Sequence, residues 1–330
     1  MTDRGLADVI IARIPQLTPA EKVLVCKHCT CEKDVTAMTQ KDLEALIGRR
    51  LGGKPWNMSD LQAQAEQDAG IARMRGIGYV SYMSPLYPPL LREIWDPPAV
   101  IFYRGRLPDP ERSVLAMVGT REPSPPALLQ AYDIAKALGR RGIPVISGLA
   151  KGIDSMAHRG NADGGGQTMA VLGSGLDEIY PAINRALARR IIEQGGALLS
   201  EYPPGTKPRK WHFPARNRII SALARGTVIV EAPSASGALI TAGFALEHGR
   251  DLWVASAGVT EGPYDRLRGG TKKLAEQGAP VIASADDILT EWGMRSKESD
   301  AEDTKPETGE FSGSALAASL AQSLNIVYEE

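Results

Sequence analysis

The sequence predicts an α/β protein: an extended Rossmann-like, doubly wound, mostly parallel sheet with a small N-terminal all-α domain. Three observations carry this. From residue 113 to 283, short and continuously apolar runs alternate with amphipathic stretches at helical spacing. That is the pattern of parallel strands buried on both faces by crossover helices, wound outward from a central strand. Residues 1–74 lack such runs and read as helices throughout. The length of 330 residues fits about two domains of roughly 150 residues each.

The elements follow in order. Residues 7–14 place apolar side chains at helical spacing. Thr18-Pro19-Ala20-Glu21 is a start signal, with a hydroxyl at the N-cap, proline in the first turn and Glu three positions on. Thr39 and Asp42 repeat the logic ahead of Leu43, Leu46 and Ile47. Gly52-Gly53-Lys54-Pro55 breaks that run, and residues 61–74 restore it until Gly76 and Gly78. Residues 79–82 and 99–103 read as short strands flanking a Pro- and Tyr-rich stretch, 85–98. Strands are then expected at 114–118, 144–147, 168–172, 197–200, 227–231, 252–256 and 280–283. Helices are expected near 127–139, 152–163, 182–194, 216–224, 237–248 and 266–277. Beyond Trp292, residues 297–310 hold six acidic side chains and two lysines, the composition of a solvated linker. Residues 314–328 fit one short amphipathic helix. The predicted division is 1–74 helical, 75–293 Rossmann-like, and 294–330 linker and short helix without a winged helix.

Lys and Arg total 38 against 39 Asp and Glu, a formal charge of −1, which excludes a globally basic nucleic-acid binder but leaves a local patch open. The 43% hydrophobic content excludes a wholly disordered chain. No apolar run approaches the ~18 residues of a membrane span, and no membrane partner is expected. MTDRGLADVI has no basic segment followed by an apolar one, so a cytoplasmic location is expected. Cys26, Cys29 and Cys31 cluster with His28, too few and too close for a disulfide framework. Tetrahedral zinc sites draw on two separated ligand pairs, and no second pair exists. Reduced thiols are expected, with no metal and no cofactor.

In a doubly wound sheet, ligands sit at the carboxyl ends of the strands. Four such ends are rich in Gly, Ser and Thr: Gly119-Thr120-Arg121, Ser147-Gly148 through Lys151-Gly152-Ile153-Asp154, Gly173-Ser174-Gly175, and Glu231 through Ser236-Gly237-Ala238. Glycines let backbone N–H groups approach an anion, and helix N-termini add partial positive charge. A long anion-binding rim is expected, although such turns also serve tight packing in any sheet of this class. Neither G-x-G-x-x-G nor G-x-x-x-x-G-K-[ST] is present, which argues against a dinucleotide cofactor or NTP hydrolysis.

Residues 204–225 carry six basic side chains and no acidic one: Lys207, Arg209, Lys210, Arg216, Arg218 and Arg225, with Trp211, His212 and Phe213 among them. Cations that neutralise phosphates and rings that stack bases are the composition of a single-strand groove. A solvated basic face with buried ring anchors has the same composition. Catalytic sets are poor: the histidines stand apart from nucleophiles, and G-x-S-x-G is absent. Asp154 and His158, four apart, read as a helix-dipole acid beside an unrelated histidine, not as a dyad. Glu231 has no evident partner.

Taken together, these loops resemble the DNA-processing protein A (DprA/Smf) family over roughly residues 79–283. The resemblance rests on Gly119-Thr120-Arg121 with Ser124, Ser147 through Asp154 with His158, and Gly173-Ser174-Gly175-Leu176-Asp177 with Tyr180-Pro181. It continues through Ser200-Glu201-Tyr202-Pro203, Phe213-Pro214-Ala215-Arg216-Asn217-Arg218, and Glu231 with Ser236-Gly237 and Thr241. It implies an extended Rossmann-like domain that binds single-stranded DNA, dimerises and helps load the RecA recombinase during natural transformation, without enzymatic activity. By position it implies phosphate contacts for Arg121, Lys151, Arg216 and Arg218. It also implies a DNA-lining rim of Gly119, Ser147, Gly148, Gly152, Phe213, Ser236, Gly237 and Thr241. Asn217 is expected to fix its loop. Lys207 and Lys210 match only in charge. Departures stand at Pro125-Pro126-Ala127, at Ala255-Ser256-Ala257-Gly258 and in the 265–272 loop, which lacks the family's usual Asn. The competing function is a phosphoribohydrolase-like nucleotide enzyme on the same sheet. Its Pro-Gly-Gly-x-Gly-Thr-x-x-Glu loop is not matched by Pro233 through Leu239.

Overall fold

The computed structural model describes Arg4 and residues 6–53, 56–107 and 109–294. The linker and short helix expected beyond residue 294 lie outside the described residues.

The chain opens with α1 (Ala7–Arg13), α2 (Pro19–His28), α3 (Glu32–Ala37), α4 (Gln40–Ile47) and α5 (Met58–Arg75). The two start signals act as expected. Glu21 N–H donates to the Thr18 hydroxyl while the Glu21 carboxylate accepts from Thr18 N–H at 2.7 Å, and Thr39 with Asp42 repeats the exchange. Helix α3 was not expected. Its N-cap is Cys31, and the first-turn Asp34 accepts from the Thr30 and Cys31 amides, so no Ser or Thr advertises the start.

These helices are not packed as a separate body. Ile10, Val25, Cys26, Val35 and Leu61 form one apolar cluster with Val100, Phe102, Leu172 and Leu198 of the sheet. Arg13 grips Asp68 of α5 with two hydrogen bonds and donates to the Pro204 carbonyl at 3.2 Å, tying the unit to the loop after the sixth strand. The change of pattern near residue 75 is therefore not a break in the core. Cys26 and Cys29 are buried in this packing, with Cys29 Sγ 3.4 Å from Met38 Sδ.

Among the described residues the sheet has nine strands: β1 (Gly78–Ser81), β2 (Val100–Gly105), β3 (Leu115–Val118), β4 (Val145–Ser147), β5 (Met169–Leu172), β6 (Ala197–Ser200), β7 (Gly226–Ile229), β8 (Asp251–Ala255) and β9 (Val281–Ile282), in the order β1-β2-β6-β5-β4-β3-β7-β8-β9. β1 and β2 are antiparallel additions at one edge; the rest run parallel. The helices after β1 are α6 (Pro89–Arg92), α7 (Pro125–Arg140), α8 (Ile153–Asp163), α9 (Arg185–Glu193), α10 (His212–Ala222), α11 (Gly237–Glu247), α12 (Gly269–Glu276) and α13 (Ala285–Glu291).

Leu128, Ile134, Met156 and Ile288 of α7, α8 and α13 pack with Leu115, Val228 and Trp253 in one apolar layer. Ile219, Ile220, Ala242 and Ala245 of α10 and α11 pack with Ala116, Val118 and Ile229 in the other. Neighbouring strand residues alternate between the two layers, so the sheet is buried on both faces. Two helices start earlier than their periodicity suggests. α7 begins at Pro125 because the Ser124 hydroxyl caps Ala127 N–H, which makes the Pro125-Pro126 departure a helix start. α10 begins at His212, with Pro214 tolerated in its first turn. No described helix is long and apolar enough to cross a membrane.

Candidate nucleic-acid interface

Strand order reverses at β3, with β4 on one side and β7 on the other, and a ligand crevice is expected at the carboxyl ends there. A cleft of about 590 Å³ occupies that place. The β3 loop supplies Gly119, Thr120 and Arg121. The N-terminal half of α10 supplies Phe213, Arg216 and Asn217, preceded by Lys210. The start of α11 supplies Ser236, Gly237 and Thr241. A side chamber of about 110 Å³ adds Gly148 and Lys151.

The cleft wall combines exposed cations with rings. Arg121 and Lys210 are exposed. The Arg121 guanidinium lies 5.9 Å from the centre of the Phe213 ring, and Tyr180 packs on the same ring at 5.6 Å. At the α11 N-terminus, which lines the cleft, the Ser236 hydroxyl caps the helix by accepting from Ala238 N–H. The Thr241 hydroxyl lies at the wall with no hydrogen-bond partner among the described residues.

Below this surface Arg216 and Asp154 lie buried beside each other. Arg216 Nη1 donates to the carbonyls of Gly148, at 2.8 Å, and of Val171. Burial pushes its guanidinium down to about 10, opposed by Asp154, so it stays cationic at neutral pH. Among the described residues, Asp154 is the only carboxylate that lines the cleft. Burial pushes its carboxyl up, while Arg216 and the amides of Gly148 and Ala150, donating at 3.1 and 3.2 Å, hold it down. A Cβ on Gly148 would stand 2.6 Å from Arg216 Nη2 and 2.7 Å from Asp154 Oδ2, so only glycine fits between them. Leu149 next to it holds φ +58 with its side chain fully buried.

Several expected rim residues do other work. The Ser147 hydroxyl donates to the Met117 carbonyl at 2.6 Å and is fully buried, so it braces β4 against β3 and faces no ligand. Two amides of the β4 loop, those of Gly148 and Ala150, donate to Asp154. Gly152 does not line the cleft. It crosses under the β3 loop at φ +76, where a Cβ would lie 2.5 Å from the Thr120 carbonyl oxygen. Lys207 pairs with Glu178 at 2.6 Å, outside the cleft. Arg218 faces away from it altogether. Its side chain is 4% exposed and bonds Asp96 at 2.8 Å and both oxygens of Glu201 at 2.8 and 3.0 Å. Asn217 donates to the Gly237 carbonyl and accepts from Arg216 Nε, both at 3.2 Å.

Glu231 acquires partners the sequence does not show. Fully buried, it accepts from Ser124 N–H and Oγ at 2.7 Å and from Arg268 Nε at 3.1 Å. Thr120 N–H donates to its backbone carbonyl at 2.8 Å. Two loops, the one after β3 and the one before α12, are thus held to the end of β7. Asp154 and His158 form no dyad: His158 Nδ1 meets Thr168 Oγ1 at 2.7 Å. Thr120 and Tyr180 line the cleft too, although sequence reasoning quoted them only within motifs and gave neither a DNA-binding role. The Tyr180-Pro181 element carried a signal, since an aromatic side chain after a glycine-rich strand end had no apolar run to join.

Comparison with known proteins agrees with this geometry. Residues 78–293 match the family described as DNA recombination-mediator protein A. The DNA processing protein DprA of Bacillus subtilis is 41% identical over 224 residues, which are 68% of this chain and 74% of that relative. The crystal structure of DNA processing protein A from Streptococcus pneumoniae is similar with a TM-score of 0.70 at 32% identity, covering 88% of this chain and 98% of its own. The Helicobacter pylori DNA processing protein A, solved to show its single-stranded DNA binding mode, is similar with a TM-score of 0.55 at 26% identity, covering 65% of this chain and 95% of its own. With a family match across most of the chain and relatives at this level of identity, the chain belongs to the DNA recombination-mediator protein A family.

Proposed function

We propose that this protein binds single-stranded DNA across the switch-point cleft and acts, without chemical turnover, as a recombination mediator. On this reading it works in the cytoplasm as a homodimer, guards incoming single strands and helps load the RecA recombinase onto them. The observation that carries the reading is the pairing of exposed Arg121 and Lys210 with the Phe213–Tyr180 rings in one cleft. Phosphates find cations there, and bases find π-faces. The Helicobacter pylori relative's single-stranded DNA binding supports it. A hydrolytic reading finds no support, because the one carboxylate of the lining is already held by two amides and cannot serve freely as acid or base.

The test is fluorescence anisotropy with labelled oligo-dT and duplex DNA over a salt series. The expected outcome is tighter single-strand binding, with log affinity falling by about 0.7 per phosphate contacted for each tenfold rise in salt. Arg121→Glu is expected to weaken binding and flatten that slope. Wild-type protein that binds no oligo-dT at low salt, or that prefers duplex, overturns the reading.

A further inference from the structure

Three consecutive rings begin α10, and each takes a different environment. Phe213 lines the cleft. His212 turns inward, stacks on Tyr202 with centroids 4.0 Å apart, and places Nδ1 3.0 Å from the Gly173 carbonyl oxygen. Trp211 stays in solvent, 64% exposed. An exposed indole of this size has no folding role to account for it. Yet it is not a loose surface group. It meets His212 edge-to-face at 5.9 Å, so a buried aromatic stack fixes its position. The Arg209 guanidinium lies 5.4 Å from its ring centre. Its neighbour Lys210 lines the cleft. Indole and guanidinium side by side, continuous with a cationic cleft, match one nucleotide: the ring for its base, the cation for its phosphate.

We propose that Trp211 and Arg209 form a stacking shelf outside the cleft, holding one base of the strand as it leaves past Lys210. This rests on the single-stranded DNA reading above and adds a site to it. The shelf takes any base, because every base has a π-face.

The test compares wild type, Trp211→Ala, Trp211→Phe and Arg121→Glu for binding of labelled oligo-dT over a salt series, with thermal melts to confirm folding. Trp211→Ala is expected to lose about tenfold in affinity and Trp211→Phe to keep most of it. The salt slope of both stays at the wild-type value, because an indole neutralises no phosphate. Tryptophan fluorescence is expected to be quenched by DNA in wild type and far less in Trp211→Phe. If Arg121→Glu loses binding while Trp211→Ala stays within about twofold of wild type, the shelf is overturned and the cleft reading stands. Trp211→Ala protein that binds DNA normally but sediments differently from wild type overturns it too, by assigning the ring to a protein contact. If wild type binds no single strand, both readings fall together.

Discussion

Arg216 and Arg218 lie two apart in one motif and serve different ends. Residues i and i+2 of a helix point about 200° apart, so they cannot share a wall. Arg216 faces the cleft floor, and Arg218 closes a buried cluster with Asp96 and Glu201. Arg218→Ala would leave the Asp96 carboxylate buried without its partner. We expect it to cost about 3–5 kcal/mol in urea denaturation, while the protein that remains folded keeps wild-type affinity for oligo-dT. His158 makes a second residue-scale case. The Thr168 hydroxyl spends its proton on the Val145 carbonyl, so His158 Nδ1 carries the hydrogen it shares with Thr168, and the bare Nε2 is buried with no hydrogen-bond partner among the described residues. Burial pushes this imidazole down to about 3 from its ordinary 6.5. Between those values the unfolded chain takes up a proton that the folded chain refuses. Stability is therefore expected to fall as pH drops through that window, by up to ~1.4 kcal/mol per pH unit. His158→Gln should flatten the pH dependence in chemical denaturation measured from pH 7 to 4.

At the scale of elements, the site is a set of strand-to-helix turns wedged against each other. Gly152 sits where the α8 turn passes under the β3 loop, with the Thr120 and Arg121 carbonyls above it. Gly152→Ala is expected to destabilise the fold by about 1–3 kcal/mol through its left-handed φ and that clash. It should also lower oligo-dT affinity by moving Arg121, although the residue touches no ligand. The strands and the glycine-rich ends that build the cleft were legible because continuous apolar runs and Gly–Ser–Thr turns are local signals. What the turns do was not. Gly148 and Ala150 look like anion-binding amides, but they answer to Asp154 four to six residues further on. The resemblance implied a phosphate contact for Arg218 by its place in Arg216-Asn217-Arg218, while the partners it has in the structure, Asp96 and Glu201, lie far from it in the sequence. Helix α13 was missed because its Ser284–Asp287 capping box follows a strand of only two residues.

For the whole molecule, the helical unit and the sheet form one structure. The cluster that joins Ile10 and Leu61 to Phe102 and Leu172 would be cut open by removing residues 1–74. A chain beginning at residue 75 is expected to melt at lower temperature than the full chain and to bind the dye ANS, because an apolar face is uncovered. The net charge of −1 likewise averages a cationic cleft segment with an acidic stretch beyond residue 296.

The Glu231 anchor also sets a schedule. β3 is the first of the parallel strands to be made, yet its partner β7 begins at residue 226. The Ser124 turn waits for Glu231, and Glu231 waits for Arg268. A chain that stops before residue 226 has Arg121, Lys210 and Phe213 but lacks Glu231 and the start of α11, which complete the cleft. If the cleft holds single-stranded DNA as proposed, a chain cut before residue 226 is expected to bind oligo-dT far more weakly than one that includes Glu231 and Arg268, because the wall is completed from the far side of the sheet.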